Sequence, residues 1–469
     1  MFKTYLAWAL AAGVCLVTIV ALWPSAAGSP EEKKALDEGR TIIMYWDRHS
    51  GHEHEMRNLL FDEFNQSQDQ YYVRSVPIGY YVSMEKLLTS ISGGAPPDIC
   101  SLDTTIMAQM ASQGCLTDLS ELAASHPNMQ KDAFFPHVWD LVNFGGGMWG
   151  MPATMDVYCL LWSKAAFRHA GLDPNRPPMN TDELVAFAGK LTTRVGNNID
   201  QVGFLPWLPW DLTFMWGELF GGKWFDRETG RVSCAGDPNI IRMLEWQRDY
   251  TLVPNASQQQ PHAVDPTRFM MFAQMGGGYA SATNPFYTGK VAMITEGEWQ
   301  CTFIDKFAPT LDWGVAALPQ PDGVQPRAYS PSAHVDVVPK GCRNPEAAFA
   351  FLRWFHTPRG SNNTTPAADY CEAIHNIPTR KAEALENRFV SNPKFNVFIN
   401  ELMTKEVISF PPFAEVQFFL DEIARYRELV ITRAISPEQA THELQAVVNA
   451  EIERQEDIWG RNETAGTAS

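Results

Sequence analysis

The sequence TIIMYWDRHSG, residues 41–51, indicates the fold class of this chain. Its first six residues are an apolar run of the kind that forms a buried strand, and polar residues and a glycine follow. Apolar residues then recur at helical spacing between residues 53 and 65, so the strand leads into an amphipathic helix. The alternation continues with a predicted strand over 71–78, a helix over 84–91 and a strand over 98–102. Strands that alternate with helices predict an α/β fold in which each sheet is mostly parallel and flanked by helices.

Length and composition favour two domains and exclude several partners. The chain has 469 residues, 45% of them apolar, which is enough to bury a large core. Its 37 basic and 54 acidic residues give a formal net charge of −17, so nucleic acids and anionic lipid surfaces would be repelled. The eight cysteines are scattered without metal-ligand spacing, which favours buried free thiols over a zinc site. No cofactor is expected, because the sequence has no phosphate-cradling glycine loop.

The first 28 residues are predicted to be an export signal. Lys3 precedes an uncharged, apolar stretch from Tyr5 to Trp23, and small residues follow up to Gly28. The stretch is longer than an ordinary signal-peptide core and close to the roughly 20 residues that cross a bilayer. Two outcomes therefore stay open, cleavage after Ala27 or retention as a membrane anchor. Both predict a periplasmic or otherwise extracytoplasmic location.

Six short segments between residues 41 and 380 carry a resemblance to a known family. They are, in order, TIIMYWDRHSG at 41–51, GGAPPDI at 93–99, GMP with DVYCLLWSK at 150–164, GKVAMITEGEW at 289–299, WGVAALP at 313–319 and IPTR at 377–380. In this order they resemble the extracellular solute-binding proteins of carbohydrate ABC importers, the maltodextrin-binding type. Each segment alone is weak evidence, whereas six in sequence are specific.

The resemblance implies a two-lobed periplasmic-binding-protein fold of type II, whose lobes are joined by a hinge of several strands. The N-terminal lobe would comprise residues 38–153 and 328–376, the C-terminal lobe residues 154–327 and 377–458, and residues 459–469 would form a flexible tail. The implied function is not enzymatic. Closure of the lobes would capture a sugar, a polyol or an oligosaccharide and present it to ABC transporter permease subunits. The receptor is expected to be a monomer.

Candidate ligand contacts follow from the chemistry of sugars and from the fold. Sugars present apolar C–H faces and hydroxyl groups, so their sites combine aromatic and polar side chains. In α/β folds these side chains come from loops beyond the carboxyl ends of strands. The predicted ligand-binding residues are Trp46, Asp47, His49, Ser101, Asp103, Asp156, Tyr158, Trp207, Trp210, Asp211, Glu298, Trp299, His334 and Arg380.

The tryptophan-rich segment from residue 205 to 216 supplies the predicted stacking residues. Prolines at positions 206 and 209 exclude a regular helix or central strand, so Trp207 to Asp211 is predicted to be a loop at the mouth of the cleft. Trp207 and Trp210 would stack on the solute and Asp211 would accept hydrogen bonds from hydroxyl groups. Core packing stays an alternative for each tryptophan, as helix capping does for Asp103 and Asp156.

Two other functions stay open at this point. A carbohydrate-active enzyme would need a carboxylate pair at a defined separation, and the sequence assigns none. A membrane-tethered sensor would need an output domain, and the residues before the apolar stretch are too few to form one. A metal site at histidines 49, 52 and 54 is rejected, because residues 52 and 54 would point to different faces of the predicted helix.

Overall fold

The computed structural model describes residues 29–79, 83–124, 126–195, 198–207, 210–250, 278–360 and 364–466. The predicted export signal over residues 1–28 lies outside these ranges. Inside them, no helix combines the length and apolar character that crossing a bilayer requires.

Helices and strands alternate along the chain, which confirms the predicted α/β class. The elements up to residue 163 are α1 (Pro30–Asp37), β1 (Thr41–Asp47), α2 (His52–Ser67), β2 (Tyr71–Pro77), α3 (Ser83–Ser92), β3 (Ile99–Asp103), α4 (Thr104–Ser112), α5 (Ser120–Ala124), α6 (Pro136–Val142), β4 (Asn143–Phe144), β5 (Gly147–Met148), β6 (Met151–Met155) and β7 (Tyr158–Ser163). The next elements, up to residue 337, are α7 (Lys164–His169), α8 (Thr181–Leu191), β8 (Thr193–Val195), β9 (Asn198–Gln201), α9 (Thr213–Leu219), β10 (Phe225–Asp226), β11 (Arg231–Val232), α10 (Pro238–Tyr250), β12 (Met293–Gly297), α11 (Gln300–Phe307), β13 (Trp313–Ala316), β14 (Arg327–Tyr329) and β15 (Ala333–Val337). The remaining elements are α12 (Pro345–Phe355), α13 (Pro366–Ile374), β16 (Ile377–Pro378), α14 (Lys381–Ala384), α15 (Asn387–Val390), α16 (Phe395–Thr404), β17 (Glu406–Ile408), α17 (Val416–Ile431) and α18 (Pro437–Gly466).

The first lobe is built on a six-stranded sheet with the order β16-β6-β15-β3-β1-β2. The apolar residues of β1 explain why this strand lies inside the sheet, since Ile43 and Tyr45 are fully buried there. β1 pairs in parallel with β2 and β3, whereas β15 and β16 pair antiparallel with their neighbours. Helices α2 and α13 of this lobe pack against each other.

The second lobe is built on a five-stranded sheet with the order β12-β7-β14-β17, in which β13 also pairs with β7. β7 pairs antiparallel with β12, β13 and β14, and only β14 and β17 pair in parallel. Helix α17 packs against α9, α10 and α18. Both sheets are therefore mixed and not mostly parallel as the sequence predicted, because strands that enter or leave through the hinge pair antiparallel with their neighbours.

The chain passes between the two sheets through short segments. Residues 156–157 join β6 to β7, residues 330–332 join β14 to β15, and a longer stretch joins β16 to β17. The predicted lobe boundaries need small corrections, since β6 extends to Met155, β14 belongs to the second sheet and β16 belongs to the first. The hinge strands β6 and β15 are buried along their whole length, so no alternation of buried and exposed residues marks where one lobe ends.

Two further predictions concern the C-terminus and the cysteines. Residues 459–466, predicted to be a flexible tail, instead continue α18, where no proline interrupts the helix after Pro437. The seven cysteines of the described residues are free thiols, and five of them are buried. Cys15 lies outside the described residues.

Candidate ligand-binding site

A cleft of about 380 Å³ lies between the lobes and is lined by residues of both lobes and of the hinge. The volume is within the range of roughly 300–1,000 Å³ that small-molecule sites occupy. Helix α17 of the second lobe packs against α4 of the first, so the lobes touch beside the cleft. The lining residues are Arg48, His49, Ser50, Glu53, Asp103, Thr105, Asp156, Tyr158, Trp210, Asp211, Leu212, Phe214, Tyr279, Trp299, Tyr329, Pro331, Ser332, His334, Asn376, Phe410, Gln417, Leu420, Asp421, Ile423 and Ala424.

The wall formed by the first lobe is polar, and Asp103 organises it. Its Oδ1 accepts hydrogen bonds from the Thr105 backbone N–H at 3.0 Å and from the Thr105 hydroxyl at 2.9 Å, which caps α4. Its Oδ2 accepts a hydrogen bond from Ser332 Oγ at 3.0 Å and lies 3.8 Å from Arg48 Nη1. Asp103 therefore both lines the cleft and caps a helix, the two roles between which the sequence could not decide.

A buried polar cluster lies where the chain passes between the lobes. Asn376 Nδ2 donates to Asp156 Oδ1 and to Glu298 Oε1, both at 2.8 Å, while Glu298 Oε2 accepts the Val157 backbone N–H at 2.9 Å. His334 Nε2 lies 3.3 Å from Asp156 Oδ2. The cluster ties the residues beside β6 and β16 to the turn that follows β12.

Burial decides the protonation of this cluster. It raises the pKa of Asp156 to about 6, although Arg48 and His49 act in the opposite direction. Burial, together with the charge of Asp156, raises the pKa of Glu298 well above its usual range. Burial also holds the pKa of His334 well below its usual range, so this imidazole is neutral at physiological pH.

The wall formed by the second lobe is aromatic. The Tyr158 ring packs edge-on against Trp299 at a centroid distance of 5.4 Å and lies 5.6 Å from the Tyr329 ring. Trp210 lies 5.9 Å from Tyr279, whose ring packs edge-on against Trp299 at 6.4 Å. These rings form one continuous surface along the cleft and offer apolar faces to a solute.

The indole nitrogens of Trp210 and Trp299 differ in their hydrogen-bond partners. Trp210 Nε1 donates to Glu296 Oε2 at 3.2 Å, and burial raises the pKa of Glu296 to about 7. Trp299 Nε1 is buried and has no hydrogen-bond partner among the described residues.

A buried ionic network behind the polar wall holds the loop that carries Arg48 and His49. Asp47 is fully buried, and its Oδ1 accepts the His49 backbone N–H at 3.0 Å. Arg57 Nη1 lies 3.9 Å from Asp47 Oδ1 and 3.4 Å from Asp336 Oδ1. Burial alone would raise the pKa of Asp47, but Arg57 and the hydrogen bonds from two histidines outweigh it and hold the pKa well below its usual range.

The structure brings part of the predicted set together at the cleft. The predicted residues that line it are His49, Asp103, Asp156, Tyr158, Trp210, Asp211, Trp299 and His334. The loop predicted around Trp207 to Asp211 reaches the cleft through Trp210 and Asp211. Asp211 also binds Arg427 Nη2 at 2.8 Å and accepts the Thr213 backbone N–H at 3.0 Å, so its carboxylate already has partners.

Six predicted residues do not line the cleft. They are Trp46, Asp47, Ser101, Trp207, Glu298 and Arg380. The first three belong to strands and not to loops: Trp46 and Asp47 are the last two residues of β1, and Ser101 lies within β3. Asp47 and Ser101 are fully buried.

The other three corrections have separate causes. Trp207 is buried in the core, where its ring packs edge-on against Tyr250 at 6.2 Å. Glu298 is fully buried and holds the hinge by the hydrogen bonds given above. Arg380 does not bridge the lobes in the contacts described, because it donates to the Asn128 backbone oxygen at 2.7 Å and its guanidinium lies over the Phe134 ring.

Several lining residues were not in the predicted set. Arg48 and Glu53 could have been found, since they follow the end of β1, whereas Tyr279 lies in a segment with no recognisable pattern. Most of the remaining side chains come from the hinge and from the segment of residues 410–424, and the sequence carries no signal that these reach the cleft.

The two lobes, the hinge and the enclosed cleft define a two-lobed solute-binding protein. The chain belongs to the family of bacterial extracellular solute-binding proteins, whose model matches residues 60–397. This family consists of binding proteins that act outside the cytoplasm, which bears out the predicted class and the extracytoplasmic location.

Individual relatives match at low identity. The chain is 25% identical over 297 residues to the sn-glycerol-3-phosphate-binding periplasmic protein UgpB of Brucella abortus, an alignment that covers 62% of this chain and 65% of that relative. The chain thus spans about two thirds of the length of these curated relatives.

Solved structures confirm the predicted type II fold. The mannotriose-bound protein CpMnBP1 superposes with a TM-score of 0.75 at 24% identity, covering 87% of this chain and 99% of that one. The sugar-binding protein MalE of Xanthomonas citri superposes with a TM-score of 0.70 at 20% identity, covering 90% of this chain and 99% of that one.

Proposed function

We propose that this chain is the substrate-binding component of an ABC uptake transporter and that it captures a sugar, a polyol or an oligosaccharide in the cleft. The observation that carries the proposal is the pairing of two unlike walls on either side of one cleft. Trp210, Trp299 and Tyr158 offer ring faces on one side, and Asp103 and His334 offer hydrogen-bonding atoms on the other. A hydroxylated ring compound needs both.

Capture would work through closure of the lobes. A solute that contacts the aromatic wall and the polar wall together gains those contacts only when the lobes are closed, so binding shifts the population towards the closed form. The permease subunits of the transporter would then recognise the closed form. Residues 156–157 and 330–332 are short enough to act as the axis of such a movement.

The transporter partner, the attachment and the assembly state follow from the same proposal. The permease subunits are the expected protein partners, and the apolar stretch before residue 29 would either be removed or keep the receptor at the membrane. The receptor acts as a monomer, since each copy contains both walls of its own cleft.

The enzyme alternative depends on the carboxyl pair of Asp156 and Glu298. Their raised pKa values resemble those of a catalytic acid, and one protonated carboxyl beside one carboxylate is the arrangement a glycosidase uses. Only Asp156 lines the cleft, however, and the oxygens of Glu298 are bound to Asn376 and the Val157 backbone. Holding the hinge accounts for this pair better than catalysis does.

The test is a binding titration followed by recovery of the solute. The purified chain is titrated with mannobiose, mannotriose, maltotriose and tagatose, and the heat and the tryptophan fluorescence are recorded. Binding should change the fluorescence, because Trp210 and Trp299 line the cleft. Trp210→Ala should reduce both signals, whereas Trp354→Phe, which lies outside the cleft, should leave them unchanged. Chromatography after long incubation should return the solute intact, and turnover of any of these sugars would contradict the proposal.

A further inference from the structure

The charges around the cleft are strongly unequal. Among the described lining residues, five carry carboxyl groups and Arg48 alone carries a permanent positive charge. The five are Glu53, Asp103, Asp156, Asp211 and Asp421. A phosphate group that entered this space would meet a net negative field.

The groups that could offset this field are already engaged. Arg48 is buried and lies 3.8 Å from Asp103 Oδ2. His49 and His334 line the cleft, but burial lowers the pKa of both, so neither adds a positive charge at neutral pH. Arg427 lies behind the lining and pairs with Asp211 at 2.8 Å.

Two of the helix N-termini beside the cleft are also capped by carboxylates. Phosphate groups often bind at helix N-termini, where backbone N–H groups lack partners. At α4 this position is taken by the carboxylate of Asp103, and the Thr213 N–H at the start of α9 is taken by Asp211. The start of α2 has no side-chain cap, but Glu53 in its first turn lines the cleft and places a further negative charge there.

We propose that the cleft takes uncharged, polyhydroxylated solutes and rejects their phosphorylated counterparts, although relatives of the chain are named for sn-glycerol 3-phosphate. This inference rests on the proposed receptor function and names the solute class of the same cleft. Carboxylates accept hydrogen bonds from hydroxyl groups, so the side chains that repel a phosphate are the ones that bind a neutral sugar.

The test compares matched neutral and phosphorylated probes on the full chain, purified in a mild detergent because of its apolar N-terminal stretch. Calorimetry is run with tagatose and tagatose 6-phosphate, with glycerol and sn-glycerol 3-phosphate, and with mannobiose and maltotriose. At least one neutral probe should bind, and a phosphorylated counterpart should bind at least about 100-fold more weakly, since like charges at an interface cost several kcal/mol.

A variant with two fewer carboxylates tests whether these charges cause the selectivity against phosphorylated solutes. Asp103→Asn combined with Glu53→Gln keeps the capping oxygen at α4 and removes two negative charges, so the affinity ratio of neutral to phosphorylated probe should fall at least about tenfold. The matched control is Asp132→Asn, which removes an exposed carboxylate away from the cleft and should leave the ratio unchanged. An unchanged ratio in the double variant would overturn the role of these charges.

The outcomes separate this inference from the receptor function. Tight binding of sn-glycerol 3-phosphate by the wild-type chain would overturn the inference and leave the receptor function standing. Binding of no probe at millimolar concentration would overturn both. Preferential binding of neutral probes that is lost in the double variant would support the inference.

Discussion

Replacement of Arg57 by methionine should destabilise the first lobe severely. Arg57 is 1% exposed, and its Nη1 lies 3.4 Å from Asp336 and 3.9 Å from Asp47, both of which are buried. At an effective dielectric constant of about 20, unit charges at these separations attract by roughly 4–5 kcal/mol. Desolvation offsets much of that attraction in the intact network. Removing only the cation leaves two buried carboxylates without the arginine that offsets their charge, so we expect a loss of about 3–5 kcal/mol in the free energy of unfolding.

Urea-induced unfolding measures this loss, with Arg353→Met as the matched control on an exposed helical face. The pH dependence has a definite sign. The pKa of Asp47 is depressed in the folded chain, so its stabilisation is present above the unfolded pKa of about 3.9 and is lost as the pH falls towards the lower folded value. The deficit of the variant should therefore be largest at neutral pH and shrink below about pH 4. A loss below about 1 kcal/mol at pH 7, equal to that of the control, would refute the reasoning.

Three further predictions concern the cleft and the core. Trp210→Ala should weaken solute binding by at least about 2 kcal/mol in calorimetry with a smaller loss of stability than Trp216→Ala, which should lower the free energy of unfolding by about 3–5 kcal/mol, since Trp216 is fully buried. Gly297→Ala should also weaken binding, because the added Cβ would overlap the Trp299 ring; equal affinity for wild type and variant would contradict this. Burial lowers the pKa of His356 to about 3, so the neutral imidazole contributes its full stability above the unfolded pKa of about 6.5 and loses it as the pH falls. The free energy of unfolding of the wild-type chain should fall by about 2 kcal/mol between pH 6.5 and pH 5, and His356→Phe should abolish this fall. Thermal or urea unfolding measures it, and an identical pH profile for the two proteins would exclude this role.

The sequence predicted the local elements better than their pairing. The apolar run at residues 41–46 and the helical spacing after it identify β1 and α2, because burial of one face leaves a periodic trace. The antiparallel pairing of β15 with β6 leaves no such trace. It joins His334 to Thr154, which are far apart in the chain, and both strands are buried on every side.

The prediction of cleft residues was limited in the same way, because tertiary contacts leave no periodic pattern in the sequence. The rule that loops after strands carry ligand contacts found His49 and Asp103, which lie close to strand ends. Aromatic composition could not separate Trp210 at the cleft from Trp207 in the core, because composition is the same for both and only tertiary contacts distinguish them. Asp421 was missed because it depends on how α17 packs against α4, which only tertiary structure determines.

The reactivity of the buried cysteines can be used to measure local opening of each lobe. Cys100 and Cys371 lie in the first lobe and Cys159, Cys234 and Cys301 in the second, and burial raises the pKa of all five thiols. The thiolate is the nucleophile that attacks an alkylating reagent, so each site should react only when its surroundings open to water and the thiol can ionise. Peptide mapping after timed exposure to iodoacetamide would then give a separate opening rate for each lobe, without any introduced label.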